Sequence, residues 1–129
     1  MNNTCKEQKI KRLESFRTLE EGWDGVNAHP PDINIIDLVH KVITELPDEE
    51  LSRWNIFPSF NGGIALTRRL KENAMVYFDN DGTCIAFVLH NNKKDVKSWE
   101  FQMDDNVDKV VDIINEIDKI LKKEYGENE

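Results

Sequence analysis

Between residues 107 and 125 the apolar side chains return every three or four positions. Val107, Val110, Val111, Ile114, Ile117, Leu121 and Tyr125 form one stripe, which Ile113 and Ile120 widen. That period is one face of a helix laid on a core. Asp104 or Asp105 stands where an N-cap belongs, and Lys119, Lys122 and Lys123 sit where the helix dipole favours cations. A second stripe, Ile36, Val39, Ile43 and Leu46, steps by three, four and three, and predicts a helix from about residue 33 to 46. Asp32, directly after Pro31, is its expected N-cap through the carboxylate, and Pro47 its stop. Residues 6–20 carry the same period with Ile10, Leu13, Phe16 or Arg17, and Leu19, as far as Gly22 and Gly25.

From Trp54 to Phe101 the period falls to two. In "RWNIFPSF", Trp54, Ile56 and Pro58 share one face, and Pro58 predicts an edge strand. "NGG" at 61–63 and the run Asp79–Asn80–Asp81–Gly82 supply the positive φ of hairpin turns. Between and after them "GIALTRRL", "NAMVYFDN", "TCIAFVLH" and "VKSWEFQM" alternate, with Ile64 and Leu66 inward and Thr67 and Arg69 outward. The expected fold is α+β: two N-terminal helices, an antiparallel meander of four to five strands, and a C-terminal helix packed on one sheet face. A chain of 129 residues suits one domain spanning 1–129.

The break between the first two helices reads "EEGWDGVNAHPP", and turn chemistry accounts for nearly all of it. Gly22 stops the first helix, Trp23 is expected in the seam between helices, and Asp24 accepts local backbone amides. Gly25 takes positive φ, and Pro30–Pro31 extend the chain toward Asp32. "GWDGVNAHPP", a helix ending in "LP" and then "IFPSFNGGIAL" together resemble a family of small uncharacterised bacterial proteins. Those share a Gly-Trp-Asp-Gly corner, a small-residue-plus-Pro helix start, and a downstream Phe-Pro strand whose hairpin leads into an Ile-x-Leu or Ile-x-Phe strand. The resemblance spans about residues 13 to 90. Here Asn27 stands where members often carry Gly, and "TRRL" where they carry an acidic or aromatic strand. The resemblance implies a fold and a bacterial source, and no catalytic residue.

Charge changes the picture more than composition does. The net charge is −8, and its distribution is uneven. Residues 1–19 hold five bases against two acids, residues 20–50 one against nine, residues 51–103 seven against five, and residues 104–129 four against nine. The acid therefore concentrates on the second-helix region and the last one. Their inward stripes are apolar, so Asp37, Glu45, Asp48, Asp108, Asp112, Glu116 and Asp118 are expected to face solvent. Such a surface repels nucleic acid and anionic membrane and favours a basic protein partner. With no secretory h-region and no apolar run of membrane-spanning length, the expected location is the cytoplasm.

The candidate chemistry is sparse. Cys84, inside a strand, reads as a buried hydrophobe and Cys5 as a surface residue, too far apart for a metal set. "DNDG" has Tyr77 and Val88 where an EF-hand needs ligands, and "NGG" lacks the context of a phosphate loop. His90 reads as a solvated loop residue, and Arg68, Arg69 and Lys71 as a soluble strand edge. No cofactor or metal is expected. The leading reading is a non-enzymatic binding or accessory module that meets a basic partner through Asp37, Glu45, Asp108, Asp112 and Glu116. The alternative is a small enzyme or ligand-binding protein using a polar cluster of Asp24, His29 and Arg69 on the sheet face. A third is a homodimer paired through an exposed edge strand.

Overall fold

A computed structural model describes residues 4–68, 73–90, 93–104 and 106–125; Arg69, Lys71, Asp105 and the side chain of Tyr125 lie outside the described residues. The helices are α1 (Cys5–Ser15), α2 (Ile33–Glu45), α3 (Asp48–Leu51) and α4 (Val107–Tyr125). The strands are β1 (Trp54–Pro58), β2 (Ile64–Arg68), β3 (Ala74–Phe78), β4 (Thr83–His90) and β5 (Asp95–Gln102). They form one sheet in the order β1-β2-β3-β4-β5, every pair antiparallel. This is the expected meander, with Pro58 on an edge strand where its missing N–H costs no ladder bond.

Both helical stripes land on the core. Ile36, Val39, Ile43 and Leu46 are buried, joined by Ile35, Leu38 and Val42. On α4, Val110, Ile113, Ile114, Ile117 and Leu121 are buried. They meet the inward residues of the strands, Trp54 and Ile56, Ile64 and Leu66, Ala74, Val76 and Phe78, and Cys84, Ala86 and Val88. Burial pushes the Cys84 thiol up to about 12, which suits a packing role. α1 is shorter than its sequence pattern: it ends at Ser15 and runs into a 3-10 turn at Phe16–Thr18, so Gly22 lies beyond the helix rather than stopping it. α3, a single turn after Pro47, is an element the sequence pattern did not announce.

All the helices cover one face of the sheet. α1 packs on α2 and α3, α2 on α4, and α4 on β4. The opposite face is open, and the strand register arranges it in rows. One row runs Phe57, Ala65, Tyr77, Ile85, Glu100 and the next Asn55, Thr67, Met75, Phe87, Ser98, with Val96 beside Leu89 beyond them. Gly63 is fixed by this layout, because a Cβ there would lie 2.4 Å from the Tyr77 hydroxyl and 2.6 Å from the Phe78 carbonyl oxygen. Among the described residues no helix is long and apolar enough to cross a membrane.

Candidate functional site

The start of α2, the β3–β4 hairpin and the corner between β5 and α4 converge on a groove of about 610 Å³. Its charged lining is Asp32, Asp37, Asp81 and Asp104 against Lys41. Long-range hydrogen bonds bring these distant stretches together. The Asp32 amide donates to Asn80 Oδ1 at 3.0 Å, tying α2 to the hairpin. The Met103 amide donates to the carbonyl of Gly82, a turn residue at φ +91°, at 2.9 Å, tying the end of β5 to the same turn. Asp81 Oδ1 accepts from the Thr83 amide at 2.8 Å, a bond that holds its carboxyl below the usual range.

Two expected caps fall differently. The Asp32 carboxylate makes no capping bond; its backbone carbonyl takes the Ile35 and Ile36 amides, and the residue lines the groove instead. At α4 the cap is Asn106, whose Oδ1 accepts from the Lys109 amide at 3.2 Å, while Asp104 adopts φ 44° at the corner. Both substitutions leave aspartates at the N-terminal ends of helices, where the dipole favours negative charge.

The exposed acids of the two helices divide into two groups. Glu45, Asp108 and Asp112 are exposed and carry no ion pair among the described residues. Asp37 accepts from Arg17 Nη2 at 2.5 Å, and Glu116 pairs with Lys97 of β5. Asp48 is exposed, but its Oδ1 takes the Lys6 amide of α1 at 2.6 Å.

Asp118 does not face solvent; it is 8 % exposed and belongs to a buried ion network. Arg68, also placed at the surface by the sequence, is its centre and only 1 % exposed. Arg68 Nη2 donates to Asp118 Oδ1 at 3.1 Å and Nη1 to Glu50 Oε2 at 3.2 Å. Its guanidinium lies 5.1 Å from the centre of the Trp54 ring, whose Nε1 donates to the same Glu50 oxygen. Arg53 and Lys122 also reach Asp118, at 3.3 and 3.1 Å. Burial raises the Glu50 carboxyl above its ordinary value, Asp118 adds to that, and Arg68 opposes it. Burial would raise Asp118 too, but hydrogen bonds from Arg68 and Lys122 outweigh it and hold the carboxyl low. The network joins α3, β1, β2 and α4.

Of the alternative polar cluster, Asp24 and His29 lie in the corner between α1 and α2 rather than on a strand, and Arg69 lies outside the described residues. Asp24 sits in the corner, its Oδ1 accepting from the Val26 and Ala28 amides at 3.0 Å each, and those bonds lower its carboxyl. His29 Nδ1 faces Glu21 at 2.8 Å with a mostly exposed ring, and its amide donates to the Phe60 carbonyl at 2.7 Å. Trp23 is half-buried rather than lodged in the helix seam, and its indole Nε1 donates to the His29 carbonyl at 2.9 Å. Gly22 and Gly25 take φ +78° and +85°, as turn chemistry requires. Among the described residues no group of three or more His, Cys, Asp or Glu could hold a metal ion.

Compared with protein-family models, curated proteins and solved structures, the chain matches none.

Proposed function

We propose that the protein is a non-enzymatic binding module that receives a Lys- or Arg-rich segment of a protein partner at the acidic groove. The observation that supports this reading is the convergence of Asp32, Asp81 and Asp104 on one depression, joined by Asp37, which Arg17 already pairs, with Lys41 as the counter-charge in the lining. Glu45, Asp108 and Asp112 extend negative charge along α2 and α4, and Glu116 adds to it where Lys97 is screened. A concave site lined by one sign of charge concentrates ligands of the other sign and speeds encounter. Each solvent-exposed pair contributes only about 0.2 to 1 kcal/mol, so selectivity comes from several pairs formed together.

The test is the binding of a fluorescently labelled Lys/Arg-rich peptide, followed by anisotropy as salt is raised. Wild type should bind saturably and lose affinity as the screening length shortens toward about 8 Å at physiological ionic strength. Asp81→Asn with Asp104→Asn should weaken capture severalfold without changing the melting temperature by more than a few degrees. Equal binding by the double variant would remove the groove from the reading.

A further inference from the structure

Among the described residues the open face of the sheet is nearly free of charge, although the chain as a whole carries −8. Its rows present Phe57, Ala65, Tyr77 and Ile85, then Thr67, Met75 and Phe87, with Leu89 and Val96 beyond. Phe57 is 43 % and Val96 61 % exposed. Glu100 is the one charged side chain on these rows among the described residues. A strongly charged partner gains little from such a face. Among the described residues a second copy of the chain meets no field of like charge on these rows beyond Glu100, because the acids of α2 and α4 lie behind the sheet.

Size and shape favour the same occupant. Five strands spaced about 4.8 Å apart, each five to eight residues long at about 3.3 Å per residue, give a face of roughly 500 Å² before side-chain relief. That approaches the roughly 600 Å² per partner at which specific interfaces begin. Sheets share one hand of twist, so two copies can stack about 10 Å apart in the aligned manner of a β-sandwich.

We infer that two copies pair through this face about a two-fold axis running along β3. That axis lays β1 of one copy over β5 of the other and β2 over β4, so each row meets itself reversed. Glu100 then faces Phe57 of the second copy, beside which Arg12 stands with its guanidinium 5.6 Å from the ring centre. The isolated charge of the face thus meets a cation, twice by symmetry. Phe87 stands over Thr67 of the second copy, which lines a depression of about 380 Å³ with Asn55, Phe57 and Met75. Tyr77 and Met75 lie on the axis. β5 itself carries Asp95, Lys97 and Glu100, charges of the kind that discourage edge-to-edge pairing, so the contact is face to face.

Sedimentation equilibrium from micromolar to millimolar protein tests the inference, with far-UV circular dichroism confirming that each variant is folded. Wild type should show a concentration-dependent dimer. Met75→Arg should abolish it, and Asp112→Lys, on the helical side, should leave it unchanged. Glu100→Arg and Arg12→Glu should each raise the dissociation constant about tenfold, as two lost exposed pairs predict, and the double swap should restore it. A monomer at every concentration overturns the inference. So does a dimer that ignores Met75→Arg, or one in which the double swap is no better than either single change. The acidic groove lies on the helical side, so its peptide binding stands or falls independently of these results.

Discussion

Arg68 Nη2 lies 3.1 Å from Asp118 Oδ1, joining the last residue of β2 to the C-terminal half of α4 inside the protein. With Glu50 on the other side of the guanidinium, an ion network occupies a place where the rest of the core uses apolar side chains. Removing one partner of a buried pair leaves an uncompensated charge, which costs about 3 to 5 kcal/mol. Arg68→Ala should therefore lower the unfolding free energy measured by urea denaturation by that amount, since Glu50 and Asp118 would lose the cation between them and keep Arg53 and Lys122 at the edge of the network. A loss below about 1 kcal/mol would show that the network adds little beyond packing.

The carboxylates predict how the protein responds to acid. Hydrogen bonds from Arg17 and then His40 hold Glu14 down to about 2 from an ordinary 4.5. Asp24, Asp81 and Asp118 are also held low. A carboxyl depressed by folding stabilises the fold above its unfolded value and loses that contribution as pH falls toward the folded one. Stability should thus decline from about pH 4.5 to about pH 2. Glu50 acts in the other direction: folding favours its protonated form, so its contribution is present below about pH 4.5 and is lost as pH rises above that value. In denaturation series, Glu14→Gln should flatten the limb between about pH 4.5 and about pH 2, and Glu50→Gln should raise stability selectively on the side above about pH 4.5. An acid limb unchanged by Glu14→Gln, or a Glu50→Gln effect confined below about pH 4.5, would contradict these assignments.

Trp23 gives a smaller prediction than its size suggests. Its ring is half-buried and its indole makes one hydrogen bond, to the His29 carbonyl. Trp23→Ala should cost about 1 to 2 kcal/mol, short of the roughly 3 to 5 expected for a fully buried aromatic. His29→Ala, with the ring 63 % exposed, should stay within about 0.5 kcal/mol. Thermal melts of both variants decide the matter, and equal losses would be inconsistent with the corner described above.

Local periodicity made most of the fold legible. The stripes of α2 and α4, the turns at Gly62 and Gly82 and the meander all follow from residue spacing, and the structure contains them. The ion network was partly legible. Asp118 follows Ile114 by four and precedes Leu121 by three, which places it on the buried stripe, and Arg68 follows Ile64 and Leu66 at the strand period. Their charge argued for the surface, and the partner that overrides this, Glu50, lies 18 residues from Arg68. The groove was not legible, because Asp32, Asp81 and Asp104 meet only through long-range bonds such as Asp32 to Asn80 and Met103 to Gly82. The same holds for the open face: alternation marks outward residues but does not say which sheet face the helices leave bare.

The most direct measurement of the binding account is a heteronuclear NMR titration of the folded protein with a Lys/Arg-rich peptide at low and at physiological salt. The groove reading predicts saturable shift changes gathered on Asn34, Asp37, Lys41, Asn80, Asp81 and Asp104, fading as salt rises. Shift changes spread evenly over Glu45, Asp112 and Glu116 with none concentrated in the groove, or confined to Phe57, Met75 and Phe87, would contradict it.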